Sequence, residues 1–260
     1  MATITENIQT LRSIKSDIKN AIIQKGGSVT DAFGTYAQAI TNLPSGGGGG
    51  TENEDGLITR TLSGTYYNDR ISEVGCYAFY SCRHLTSVNL PNCRYIRPSA
   101  FLSCYSLISV NLPKCIYLNG DAFKSCDKLA FVNLPLCSYI YGGAFEKCYS
   151  LTYINLPLCI MVYDLAFRFC SALTSINIPL CSTIGRITFY SCNNLREVYL
   201  NSVSSVTTIS SNTFSNCPNL TSVYVPSSLV DAFKTAQYWS SISTKIVAYT
   251  EAQVGTDDML

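Results

Sequence analysis

The chain has 260 residues, of which 47% are apolar and 13% charged, and its net charge is +1. That is enough apolar material for a large core, with about half the charged fraction of roughly 25% usual in soluble domains. A balance this neutral, without a basic run or stripe, argues against a nucleic-acid partner, and no apolar run approaches the roughly 20 residues needed to cross a bilayer, so no membrane partner is expected.

Met1 to Asn7 carries neither a positive start nor an apolar h-region, so no secretory signal is visible. If the protein works outside a cell, another route is expected, such as release inside an assembled particle. From residue 4 to 25, Ile4, Ile8, Leu11, Ile14, Ile18, Ala21 and Ile22 recur at helical spacing, with Lys and Ser on the other side. This predicts an amphipathic helix ended by Gly26-Gly27. A second helix is predicted from Thr30 as N-cap to Ile40, with Phe33, Tyr36, Ala37 and Ile40 on one stripe. Helices this short are marginal alone in water and need a partner. The same helices of sister chains, a larger assembly, or the first coil of the following domain would each serve. Residues 1–44 are assigned to an anchoring and oligomerisation module, with a trimer favoured. Pro44-Ser45-Gly46 through Gly50, then Thr51-Glu52-Asn53-Glu54-Asp55, reads as a flexible polar linker over 45–56.

From Leu57 to Val74 the chain is predicted to make a partial coil. Leu57 to Leu62 is strand-like, and Ile71 and Val74 stand where Cys93 and Ile96 stand one period later. Repeats then fill 76–226. Phe79, Phe101, Phe123, Phe145, Phe167 and Phe189 are each 22 residues apart, and Phe214 follows after 25. A fixed period of this length marks a solenoid whose coils bury their apolar sides only by stacking. Cys82, Cys104, Cys126, Cys148, Cys170, Cys192 and Cys217 follow each Phe by three residues, and Leu85 through Leu220 follow by three more. Val-Asn-Leu at 132–134 and its equivalents alternate apolar, polar, apolar, which is strand periodicity. One strand per coil, stacked in a parallel ladder, is expected. Proline after the strand, as at Pro91, Pro113 and Pro135, has no amide hydrogen for the ladder and turns the chain.

The sixth coil departs from the pattern. It has Asn201 and Val203 in place of Pro and Cys and three extra residues around Val203-Ser204-Ser205, so a bulge is expected. Past the repeats, Ser227 to Trp239 reads as a helix and Ile246 to Tyr249 as a closing strand, a cap over 227–249 that shields the open core. Residues 250–260 form a tail.

The pattern AFxxCxxLxxVNLPxCxxI over residues 71 to 226 resembles the leucine-rich repeats of bacterial surface proteins of the BspA type and of Treponema-like repeats. The resemblance implies a repeat solenoid, α+β leaning β, of about six to seven coils behind a short helical module. The opening IKSDIKNAIIQKGGSVTDAFGTYAQAITNLPSG is similar to the N-terminal module of gut-phage and prophage structural proteins. That second resemblance implies attachment of a distal domain to a virion.

Twelve of the thirteen cysteines lie in two columns, with only Cys76 outside. Stacked coils place like cysteines about 4.8 Å apart with parallel Cβ vectors, a poor fit to the disulfide dihedral near 90°. Free, buried thiols are the leading reading. CxxC pairs are absent and the single histidine, His84, has no ligand set near it in sequence, so no metal and no cofactor is implied. Nor does any Ser or Cys stand in a nucleophile motif, and the glycines form a linker rather than a phosphate loop, so catalysis is not expected.

Function is then sought on outward columns. Asn89, Asn111, Asn133, Asn155 and Asn177, ending in Tyr199 and Tyr224, form one; Ser87, Ser109, Phe131, Tyr153, Ser175, Glu197 and Ser222 run beside it. An amide ladder is the structural reading. An aromatic platform at Phe131 and Tyr153 edged by Asn133 and Asn155 is the binding reading, suited to a host surface glycan or protein. Tyr139, Tyr141 and Tyr163 make a second patch. The favoured function is a virion-associated adhesion protein that touches other virion proteins through its helices. A bacterial cell-surface adhesin and a purely structural virion decoration are the alternatives.

Overall fold

A computed structural model describes residues 62–250, all of which belong to one of the two units into which the chain divides, Gly48–Thr256. The two predicted helices with their Ile4, Ile8, Leu11, Ile14, Ile18 and Ile22 stripe, the linker and the tail beyond Thr250 lie outside the described residues. So does the strand-like stretch at 57–61. Leu62 is buried, and the first strand lies just beyond it.

In chain order the strands are β1 (Ser63–Tyr67), β2 (Glu73–Val74), β3 (His84–Asn89), β4 (Tyr95–Ile96), β5 (Ser109–Asn111), β6 (Tyr117–Leu118), β7 (Phe131–Asn133) and β8 (Tyr139–Ile140). They continue as β9 (Tyr153–Asn155), β10 (Met161–Val162), β11 (Ser175–Asn177), β12 (Thr183–Ile184), β13 (Glu197–Tyr199) and β14 (Ser222–Val225). Among the described residues one α-helix, α1 (Val230–Thr235), and β15 (Ile246–Ala248) complete the set, with 3-10 turns at Ser227–Leu229 and Trp239–Lys245.

Most periods therefore give two strands, not the single one expected. The long-expected strand, Val-Asn-Leu and its equivalents, builds a strand face in two parallel sheets, β1-β3-β5-β7 and β9-β11-β13-β14-β15. The Tyr-Ile pair eight residues later builds a second sheet, β2-β4-β6-β8-β10-β12. Between the second sheet and the next strand the chain makes a turn face without strands. There Phe123 donates its amide to the Ala144 carbonyl at 2.8 Å and Ser125 to that of Glu146 at 2.8 Å. Left-handed residues flank each Phe from Phe79 to Phe189, as at Asp121 (φ 55) and Ser125 (φ 57). In the next coil the first of these positions is Gly143 (φ 68), where a Cβ would run into the Asp121 carboxylate. Other coils hold that φ with a side chain, as Asp121 and Leu165 do, so it is the close approach of Asp121 that calls for glycine here.

Registers of 22 carry every column into one interior. Phe101, Phe123, Phe145, Phe167 and Phe189 are fully buried, and their rings stack at 4.5 to 5.7 Å between centroids from Phe79 through to Phe214. Burying each such ring contributes about 1.5–3 kcal/mol, and no coil captures that alone. The cysteine columns line the same interior as free thiols. From Cys104 to Cys192 each first-column thiol donates to the carbonyl of the Phe 25 residues before it, as Cys104 does to Phe79 at 3.0 Å and Cys148 to Phe123 at 3.2 Å, and Cys217, past the three extra residues, donates to Phe189 at 2.9 Å. Each second-column thiol donates locally, as Cys137 does to Tyr139 at 3.5 Å. A small, weakly polar side chain with one donor satisfies both the packing and a backbone carbonyl.

The predicted bulge is present. Val203 takes the buried cysteine position, three residues are accommodated behind it, and the second sheet thins to one bridge, Thr183 to Thr208. The predicted helix at Ser227–Trp239 is shorter than expected. Ala236 is extended (ψ 153) and Tyr238 is left-handed (φ 66), which turns Trp239 inward. There the indole Nε1–H donates to the Thr207 carbonyl at 2.6 Å, and the ring packs on Phe233 and Phe214. A continuous helix would forgo that contact. β15 then pairs with β14 and ends the ladder.

Candidate functional site: the outward rows of the strand face

Val and Leu of each strand point inward, so the residues between them form rows on the strand face. The asparagine row is an amide ladder, but in two runs. Asn111 Nδ2 donates to Asn89 Oδ1 at 2.8 Å and Asn133 Nδ2 to Asn111 Oδ1 at 2.7 Å; Asn177 Nδ2 donates to Asn155 Oδ1 at 2.9 Å. Burial is uneven along it: Asn89 and Asn111 are covered, Asn133 is half-buried and Asn155 is exposed. The first two amides are therefore structural, a correction to the picture of a uniformly outward row.

The backbone shows the same division. Leu112 donates to the Asn133 carbonyl at 3.0 Å, and Leu156 to that of Asn177 at 2.9 Å. Between β7 and β9 the equivalent bond, Leu134 to Asn155, is missing, and the two strands belong to different sheets. The second sheet runs through the same two coils without interruption, Tyr139 paired with Met161 and Ile140 with Val162, and so does the turn face. The two coils are thus bonded through the second sheet and the turn face, while on the strand face β7 and β9 stay neighbours without that ladder bond. That parting coincides with Phe131 and Tyr153, the only aromatics in a row otherwise made of Ser and Glu197. Both are half-buried.

Further along the face, Tyr199 and Tyr224 stack at 4.8 Å and donate their hydroxyls to the two oxygens of Glu197, at 3.0 and 3.4 Å. Burial, with the Glu197 carboxylate beside it, pushes the Tyr199 phenol well above its ordinary range. Tyr224 is raised as well, mainly by burial, and only 9% of it is exposed. These phenols stay protonated and committed to Glu197. The six residues named from sequence thus fall into two groups. Phe131, Asn133, Tyr153 and Asn155 frame the parting; Tyr199 and Tyr224 form a closed cluster with a carboxylate that sequence reasoning left out. Its position in the serine row, two residues before Tyr199, was the available signal.

The second sheet carries a longer tyrosine column than the three residues anticipated. Tyr95, Tyr117 and Tyr139 stack at 5.6 and 5.2 Å with rings within 7° of parallel. Tyr141 stacks on Tyr163 at 4.7 Å. Rings stacked in this way spend their faces on one another and turn edges and hydroxyls outward. On the turn face, Lys124, Glu146 and Arg168 occupy one position in successive coils. The nearly buried Glu146 carboxylate accepts from Lys124 Nζ at 3.1 Å and Arg168 NH1 at 3.4 Å. That carboxylate is neutralised from both sides, an arrangement for holding coils together. Among the described residues no group of three or more His, Cys, Asp or Glu is placed to hold a metal ion.

The surface on offer is thus uncharged, aromatic and amide-rich, presented by a continuous core. Two of the solved structures similar to it are described as leucine-rich proteins. A T. pallidum leucine-rich repeat protein matches at 26% identity and a TM-score of 0.55, over 69% of this chain and 93% of that one. A leucine-rich cell surface protein from Faecalibacterium prausnitzii matches at 21% identity and a TM-score of 0.40, over 68% of each chain. No curated protein sequence matches. The model of the BspA type leucine-rich repeat region matches residues 59–168 and 160–252, well over half of the chain, and the chain therefore belongs to the BspA type leucine-rich repeat family.

Proposed function

We propose that this chain is a non-catalytic adhesion protein of the bacterial surface kind, whose strand face contacts a surface glycan or protein of a host cell. The observation that carries the reading is the uncharged row of Phe131, Asn133, Tyr153 and Asn155 on a rigid stack, in a family of repeat scaffolds. Tyrosine, phenylalanine and asparagine give contact area at low entropic cost together with adaptable hydrogen bonds. Residues 1–44 would attach the module and gather copies, as trimers, through Ile4, Ile8, Leu11, Ile14, Ile18 and Ile22. Light scattering tests this: the full chain is a trimer or larger and a chain lacking residues 1–45 is a monomer. A monomeric full-length protein refutes the self-association.

A second reading rests on the resemblance of the opening 45 residues to phage structural modules. In it the same domain is displayed on a virion, bound there to other virion proteins, as a recognition arm or a decoration. Mass spectrometry of purified virions and of cell envelopes from the producing culture separates the two locations. For the binding itself, the labelled full-length chain is applied to a panel of bacterial and epithelial cells and read by flow cytometry. Adhesion predicts binding to at least one cell type that a Phe131→Ala/Tyr153→Ala variant loses. Equal binding by that variant contradicts the strand-face reading.

A further inference from the structure

Hydrogen bonds on the turn face run one way along the stack. From Phe79 to Phe189, each Phe amide and the amide two residues on donate to carbonyls of the coil ahead, as Phe189 does to Thr213 at 2.9 Å and Ser191 to Ser215 at 3.1 Å. In return the cysteine of the coil ahead reaches back to the Phe carbonyl, as Cys217 does to Phe189 at 2.9 Å. The last coil of this kind holds Phe214, Asn216 and Cys217, and after Pro226 the chain passes into a 3-10 turn and α1 instead of another repeat. The amides of Phe214 and Asn216 therefore find no carbonyl among the described residues, and no cysteine follows Cys217 to reach the Phe214 carbonyl. Phe214 and Cys217 are half-buried, where their equivalents in the preceding coils are buried. The cap replaces one missing neighbour only: Trp239 packs on the Phe214 ring at 5.8 Å. Next to that ring lies a cavity of about 500 Å³ lined by Ser191, Asn193, Phe214, Asn216, Cys217 and Pro218, with no cap residue among them.

We infer that this cavity is a docking site for an extended peptide segment of a partner protein, one that presents a free carbonyl and, two residues later, a serine, threonine or cysteine side chain. The stack itself supplies the template. At an inner junction Ser125 donates its amide to the Glu146 carbonyl at 2.8 Å, while Cys148, two residues after Glu146, donates its thiol to the Phe123 carbonyl at 3.2 Å. A segment laid on the last coil in the same way gives its carbonyl to the Asn216 amide and its hydroxyl or thiol to the Phe214 carbonyl. Unpaired backbone edges are where extended segments add. The residue just before the free carbonyl has to be small, because Trp239 already holds the place of the next Phe ring. No lining side chain is charged, and the exposed amides of Asn193 and Asn216 both donate and accept, which suits the remaining backbone groups of a peptide. A second copy of this chain does not supply the segment: its turn cysteines from Cys82 to Cys192 are buried in its own stack.

The test uses the full-length chain and a labelled, end-blocked peptide copying residues 142–149 with Phe145→Ala, read by fluorescence anisotropy under reducing conditions. Saturable binding is expected. A peptide that also carries Cys148→Ser keeps it, and one with Cys148→Ala binds about fivefold more weakly, the loss of one hydrogen bond. In the protein, Asn193→Phe fills the cavity from an exposed position and abolishes binding, while Ser182→Arg beside the second sheet leaves it unchanged. The thermal midpoint of each variant establishes that it is folded. Hydrogen exchange gives a second readout: the Phe214 and Asn216 amides exchange quickly in the free chain and slow when the peptide is added. The inference is overturned if the peptide is not bound, if folded Asn193→Phe binds it normally, if Cys148→Ala in the peptide costs nothing, or if bound peptide leaves both amides unprotected. Dissociation of the full-length assembly by the peptide would make the occupant another copy of the chain and overturn the partner assignment. The strand face takes no part in this site, so its failure leaves the adhesion reading standing.

Discussion

Phe145→Ala removes one ring from the middle of the stack and tests whether the coils share a single interior. Phe145 is fully buried, with Phe123 at 5.7 Å on one side and Phe167 at 5.3 Å on the other, both nearly parallel to it. Truncating a buried Phe costs about 3–5 kcal/mol where the site cannot collapse. Collapse is resisted here because the ladders on the turn face and the second sheet fix the coil spacing. A loss of about 4 kcal/mol corresponds to a fall of about 8–16 °C in Tm for a domain of this size. In a one-dimensional stack the interruption also lets the two ends unfold apart. Urea unfolding followed by the single tryptophan, Trp239, reports the C-terminal end, and far-UV circular dichroism reports the whole. The two curves coincide in the parent and separate in the variant. A loss below about 1 kcal/mol, or one no larger than that of Phe214→Ala at the half-buried end of the stack, would refute the shared interior.

Thiol titration with Ellman's reagent gives a second check: the exposed Cys76 reacts at once, the half-buried Cys217 more slowly, and the eleven buried column thiols only after unfolding. Burial pushes the Cys93 thiol up to about 11 and those of Cys181 and Cys217 to about 12, from 9.0. A folded pKa above the unfolded one makes stability complete below about pH 9 and lets it fall as the pH climbs through 11 and 12. Tm measured from pH 7 to 11 is expected to be flat and then to drop, and a flat profile throughout argues against buried thiols. Hydrogen exchange on the full chain is expected to show the Leu134 amide exchanging faster than those of Leu112 and Leu156, which are bonded to the next coil. Equal protection at all three contradicts a break in the strand-face ladder there. Trp239→Phe leaves the Thr207 carbonyl without its 2.6 Å donor and is expected to cost about 1–3 kcal/mol, measured by urea unfolding followed by circular dichroism.

The interior was legible from sequence because each column repeats one residue type at one spacing, so Phe123, Cys126, Leu129 and Val132 could be placed before any coordinates. The second sheet was not. Its strands are two residues long, too short for alternation to register, and only the repeated Tyr at 95, 117 and 139 hinted at it. The parting at β7 and β9 was invisible for a different reason. Both coils match the same consensus, so nothing in the pattern sets that pair of strands apart from the others. The helix predicted to Trp239 failed because propensity sees a run of helix-compatible residues, while the indole's buried bond to Thr207 decides where the helix stops.

The adhesion reading turns on which face meets the partner, and one arginine per face asks that question directly. Asn155→Arg lies on the strand face, Ser182→Arg beside the second sheet and Asn193→Arg on the turn face, all at exposed positions. With the full-length chain and the cells identified by flow cytometry, only Asn155→Arg is expected to abolish binding. Binding that survives Asn155→Arg and disappears with Ser182→Arg or Asn193→Arg would contradict the account.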